Sequence, residues 1–226
     1  MSVRLTACLL VLLSCRLLTA AESAYKATQL DKPVAGLSDT LAGKIDAKGY
    51  EVTGPDGAVC RLWFVKQLSV QPGFKSSQTI NYPFTPGQLL GVLQVVDGGG
   101  FTDFRQEELE GGLYTLRYGQ QPEDGNHIGT SETADFFMAL PVALDLKPDP
   151  ITDTDEINEK SAEAASSGHP AILSLLPVAK APAKLPAIEH DEDNEFWILT
   201  VRPPAKKGAI ATSIPLRFVV VGYADE

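Results

Sequence analysis

From residue 49 onward the apolar residues fall in short runs. Several runs alternate with polar residues, and most are closed by Gly, Pro or Asp, the pattern of half-buried strands between turns. Tyr50-Glu51-Val52-Thr53, the turn Gly54-Pro55-Asp56-Gly57 and the run 58–65 read as a β-hairpin. In that second run Ala58, Cys60, Leu62 and Phe64 share one face, and Val59, Arg61, Trp63 and Val65 the other. Residues 77–82 are expected to be a strand. After the Pro86-Gly87 turn, 88–96 is rich in Leu and Val and belongs at a sheet centre. Gly98-Gly99-Gly100 ends it, because consecutive glycines lose too much chain entropy to stay extended. Phe101 to Arg105 reads as a short linker with alternating aromatics. Residues 113–118 alternate strictly, and 134–140, 171–176, 196–201 and 215–223 supply further strands.

Two stretches depart from this period. Leu37, Leu41 and Ile45 stand at i, i+4 and i+8, which predicts a short helix over 38–45 in an otherwise loose lead-in, 22–48. In 152–167, Asp153 followed by Glu156 resembles a capping box, Ile157, Ala162, Ala164 and Ala165 favour helix, and Gly168 and Pro170 stop it. Pro177, Pro182 and Pro186 point to an extended linker or hairpin tip, 189–195 to an acidic loop, and 203–208 to a basic hairpin tip. The sum is a mainly β chain: an Ig-like or transthyretin-like antiparallel β-sandwich over 49–226 with one helix inserted at about 152–167. No repeat with a period of roughly 20–50 residues suggests a solenoid or propeller.

Residues 1–21 lie outside this pattern. Arg4, the apolar run 5–15 and the small residues Thr19-Ala20-Ala21 match a secretory signal peptide. Arg16 interrupts the run too early for a membrane span. Leu12-Leu13-Ser14-Cys15 also loosely resembles a lipobox, so Cys15 is the candidate lipidation site of a membrane-anchored alternative. Cleavage after Ala21 would remove Cys8 and Cys15 and leave Cys60 alone, a small buried hydrophobe rather than half of a disulfide. The chain carries 19 Lys+Arg against 29 Asp+Glu, and no basic face is evident for nucleic acid. The mature chain is expected to be secreted or periplasmic, with no transmembrane span.

No G-x-S-x-G elbow, H-E-x-x-H helix, phosphate-binding loop or dinucleotide fingerprint occurs. His127, His169 and His190 share no metal-ligand spacing. No catalytic residue is assigned. The segment 121–131 is longer than a hairpin needs, and its Asp124, Asn126 and His127 could meet a ligand or partner. An ordered loop held by Asp and Asn turns comes first as its reading. An enzyme would need Asp124 and His127 with a distant carboxylate such as Asp103. Calcium is a further candidate ion: Asp149, Asp153, Asp155 and Glu156 cluster, as do Asp191, Glu192, Asp193 and Glu195, without matching a calcium loop. Of these, Asp153, Asp155 and Glu156 are the candidate metal residues, although acids also suit a helix N-terminus. Trp63 and Trp197 sit in apolar strands and are expected to be buried rather than to form a sugar platform.

Gly111-Gly112-Leu113-Tyr114-Thr115-Leu116 resembles the P-G-x-Y-x-L hairpin of secreted Ig-like and transthyretin-like modules, with Gly111 in place of Pro. Gly49-Tyr50-Glu51-Val52, Asp103-Phe104-Arg105, 112–118, 121–127 and Ser167-Gly168-His169-Pro170 resemble a family of uncharacterised exported bacterial proteins. That likeness implies a β-sandwich and export, and assigns no activity or site residues. The functional expectation is a non-enzymatic accessory of the cell envelope, binding or structural, with an envelope protein or polysaccharide as partner. The alternatives are a metal-dependent or hydrolytic enzyme built on 121–131 and a calcium-stabilised carbohydrate-binding module.

Overall fold

The computed structural model describes residues 24–121 and 133–224, and it is mainly β. Seven strands make one antiparallel sheet: β1 (Lys26–Leu30), β2 (Ile45–Gly54), β3 (Gly57–Val65), β5 (Leu89–Val95), β6 (Gly112–Gln120), β7 (Asp135–Pro141) and β8 (Ala171–Ser174), in that spatial order. Against it lies a three-stranded antiparallel sheet of β9 (Ala187–Asp191), β10 (Phe196–Val201) and β13 (Leu216–Val221). A small third sheet joins β4 (Leu68–Val70), β11 (Pro204–Lys207) and β12 (Ile210–Ser213), and its β4–β11 pair is parallel.

The main core lies between the two larger sheets. Cys60, Leu62 and Phe64 of β3 face it, as do Leu116, Tyr118 and Phe137. Leu199, Phe218 and Val220 meet them from the other side, with the Phe137 and Phe218 ring centroids 5.1 Å apart. This is the face split that the period-two pattern of 58–65 predicts. The two sheets are joined where β8 ends. Leu175 bridges Phe218, and the Leu176 N–H donates to the Arg217 carbonyl at 2.7 Å. Tyr82 stitches this seam: its hydroxyl donates to the Leu176 carbonyl at 2.8 Å and accepts the Arg217 N–H at 3.0 Å.

The outer face of the large sheet is also covered. The segment before β2, with the short helix α1 (Asp39–Ala42), packs Leu30, Val34, Leu37 and Leu41 over Trp63, Leu89 and Val92. The helix α2 (Thr154–Ala165) lies over β7, placing Ile157 on Met138 and Leu140. Its start is the expected one: the Asp153 carboxylate accepts the N–H groups of Asp155 and Glu156. The buried Ser161 hydroxyl pins the helix to the sheet by donating to the carbonyl of Ala139 at 2.9 Å.

Several elements differ from expectation. The helix expected over 38–45 ends at Ala42, with Ile45 opening β2, and the expected basic tip at 203–208 is largely the strand β11, paired on both sides. The lead-in is not loose: β1 pairs with β2 along its length and extends the sheet by one edge strand. Residues 77–82 form no strand. The Ser77 hydroxyl instead accepts the N–H groups of Thr79 and Ile80, a local turn that competes with pairing. The acidic loop is the turn of the β9–β10 hairpin, where Asp191 accepts the N–H groups of Asp193 and Asn194. Among the described residues, no helix is long and apolar enough to cross a membrane.

Candidate functional site

A cavity of about 220 Å³ opens on the outer face of the large sheet, between α2, the end of β6 and the turn after Asp103. Its floor follows from strand parity. On β7, Asp135, Phe137 and Ala139 face inward, so Phe136 and Met138 face outward. Ile172 of β8 completes the floor, and Ile151 and Ile157 form an apolar wall. Gly119 of β6 keeps the recess open: a Cβ there would lie 2.2 Å from the Phe136 ring, so that ring lies across the glycine.

The rim is polar. Arg105 and His169 stand on it with Gln120, Thr154 and Asn158, and none of the described lining residues is Asp or Glu. Among the described residues the Arg105 guanidinium has no ion-pair or hydrogen-bond partner. Only its backbone N–H is bonded, to Asp103.

Two buried carboxylates hold these walls in place. Asp103 is buried beneath the turn that carries Arg105. One of its oxygens accepts the N–H groups of Arg105 and Glu107, at 2.8 and 2.9 Å, and the other accepts the N–H of Ile172 at 3.0 Å. The carboxyl thereby fastens the turn to β8. Burial pushes its pKa up, and the three N–H bonds, with the nearby Arg105 charge, oppose that rise without cancelling it.

Asp145 holds the other wall through Arg117, whose side chain is 0% exposed. Arg117 Nε and Nη2 reach the two carboxylate oxygens at 2.7 and 2.8 Å. Nη1 donates to the carbonyls of Gly87 and Asp149, and Nη2 also to that of Lys147. All five guanidinium donors are thus used. The Thr115 hydroxyl adds a further bond to Asp145. The result fixes 145–151 on β6, and that segment delivers Ile151, with Thr152 next to it, to the cavity. Gly87 is needed at the crossing: its φ is +78°, and a Cβ would lie 1.7 Å from the Ile151 carbonyl oxygen.

On the inner face behind the cavity, Tyr118 donates to the buried Asp135 and accepts from Gln120 at 2.8 Å. Asp135 also accepts the N–H of Asn81. Burial raises the pKa of both Asp135 and Tyr118.

The residues singled out in the sequence have varied places. Asp124, Asn126, His127 and Cys15 lie outside the described residues. Asp103 is buried and accepts three backbone N–H groups, and the His127 it was expected to assist lies outside the described residues. Of the candidate metal residues, Asp153 caps α2, Asp155 is exposed on its first turn, and Glu156 pairs with Lys160. Among the described residues, no group of three His, Cys, Asp or Glu side chains could hold a metal ion. Cys60 is buried, which pushes its thiol pKa up and keeps it protonated. Trp63 is buried and donates to the Lys32 carbonyl at 2.8 Å. Trp197 departs from expectation. It is half-buried near the start of β10, the central strand of the smaller sheet, with the ring of its cross-strand partner His190 stacked on it at 4.1 Å and Tyr25 at 4.8 Å.

Arg105, His169 and Asn158 were not reached by motif reasoning, because they come from three separated segments. No protein-family model, curated protein or solved structure matches the chain.

Proposed function

We propose that this is an exported, non-enzymatic binding protein of the cell envelope, secreted or periplasmic, that takes a small ligand into the cavity over β6, β7 and α2. One observation carries the reading: an apolar-floored recess whose rim presents Arg105 and His169 side chains with no hydrogen bond among the described residues, while the groups supporting its walls are bonded. Apolar linings with a few placed polar groups are typical of small-molecule sites. The signal-peptide pattern and the likeness to exported bacterial proteins support the location, with lipidation at Cys15 as its anchored variant.

The chain offers a convenient reporter. Its two methionines are Met1 and Met138, and Met138 is in the cavity floor. Methyl-labelled methionine therefore gives a resonance in the cavity floor, assigned by its loss in Met138→Leu. A screen of fragment-sized compounds is expected to yield ligands that shift it in a saturable way. If no compound moves that resonance, the binding role is overturned.

A further inference from the structure

Resting on that binding role, we infer that the cavity selects a small organic acid: a compact apolar body, aromatic or branched aliphatic, carrying one carboxylate. The size argument comes first. At about 220 Å³ the recess is smaller than the roughly 300–1,000 Å³ of sites that enclose drug-sized ligands, so its occupant is fragment-sized.

The charge argument follows. The chain as a whole is strongly acidic, with a formal net charge of −10. Yet the described rim carries Arg105 and His169 and no carboxylate. The nearest buried acid, Asp103, spends its oxygens on backbone N–H groups and lies beneath the turn. The Arg105 guanidinium feels the Asp103 charge through space but, among the described residues, makes no hydrogen bond or close ion pair, and its planar fork fits the two oxygens of a carboxylate. His169 adds an N–H donor in any protonation state. Thr154 and Asn158 offer neutral hydrogen bonds beside them. Meanwhile Phe136, Met138 and Ile172 give the body of the ligand an apolar bed. One guanidinium and one imidazole suit a monoanion.

The test uses the full-length chain, the Met138 methyl resonance, and two probes of nearly equal shape: benzoate, an anion, and benzamide, its neutral counterpart. Benzoate is expected to shift the resonance and to bind about ten-fold or more tightly than benzamide, the effect of a charge-assisted bond. Arg105→Gln is expected to weaken benzoate about ten-fold, with benzamide unchanged and the melting temperature preserved. Arg105→Lys should recover part of the loss, because it restores charge without the fork.

If benzamide binds as well as benzoate, or if Arg105→Gln leaves benzoate binding intact, the acid selectivity is wrong and the binding role survives. If neither probe moves Met138 while other neutral fragments do, the ligand class is wrong in the same way. If nothing moves it, the binding role falls and takes the selectivity with it.

Discussion

Arg117 and Arg105 flank the same outer sheet face and have opposite surroundings. Arg117 is sealed, and every donor of its guanidinium is matched by Asp145 or a backbone carbonyl. Arg105 is half-buried at the edge of a void, and among the described residues its guanidinium is unmatched. The first geometry is that of a fastener. A buried charge costs too much to keep unless its donors are satisfied, and once they are, nothing remains to offer a ligand. The second is that of a receptor, since solvent supports the charge until an anion replaces the water. Partnering, rather than residue type, separates structural from available chemistry here.

The comparison breaks most visibly at Arg117. Arg117→Met should destabilise the fold by about 3–5 kcal/mol, because Asp145 is left buried without its cation. Urea unfolding measures this, and a loss below about 1 kcal/mol would mean that the pair is not the fastener described. Removing Arg117 and Asp145 together, with apolar residues of similar volume, should cost much less than removing Arg117 alone.

Asp103 is intermediate. Asp103→Asn presents an amide donor to one or more of the backbone N–H groups that now meet an acceptor, costing about 1–3 kcal/mol. The effect should depend on pH. Burial raises the Asp103 pKa, so the folded chain holds that proton more tightly than the unfolded one. Its stabilising share is complete below the ordinary value of 3.8 and is lost as pH rises through the elevated folded value. The stability advantage of wild type over Asp103→Asn should therefore shrink from acid towards neutral pH in urea midpoints. An advantage that grew with pH would show that the N–H bonds outweigh burial.

The smallest effect belongs to Arg105. Arg105→Gln should change stability by no more than about 0.5 kcal/mol, as expected for an unpaired residue at a cavity edge. A loss approaching that of Arg117→Met would place Arg105 among the fasteners and end the contrast.

Much of the architecture was legible. The β-hairpin at 50–65, the buried Cys60 and Trp63, the Asp153-capped helix and the strands β10 and β13 all follow from period, turns and caps. What was hidden is instructive. The strict alternation of 113–118 puts Thr115 and Arg117 on the polar face of β6, where solvent is the simplest neighbour. The segment 145–151 covers that face instead, and both residues are buried. Alternation identifies a face but not what lies over it. β1 was missed for a related reason: an edge strand with mostly exposed side chains has no strong period, and pairing with β2 decides it.

The sequence by itself determined which residues are apolar and at what spacing, and hence the strands, the helix and the two faces of each strand. Those are local properties, set by backbone sterics and by the burial of one side of each element. Only the tertiary structure decided that the turn at 103–107, the helix at 154–165 and His169 meet over one patch of β6 and β7. Only it decided which arginine is consumed and which is left open. A side chain's partner is fixed by packing between distant segments, and no spacing along the chain records that distance in space.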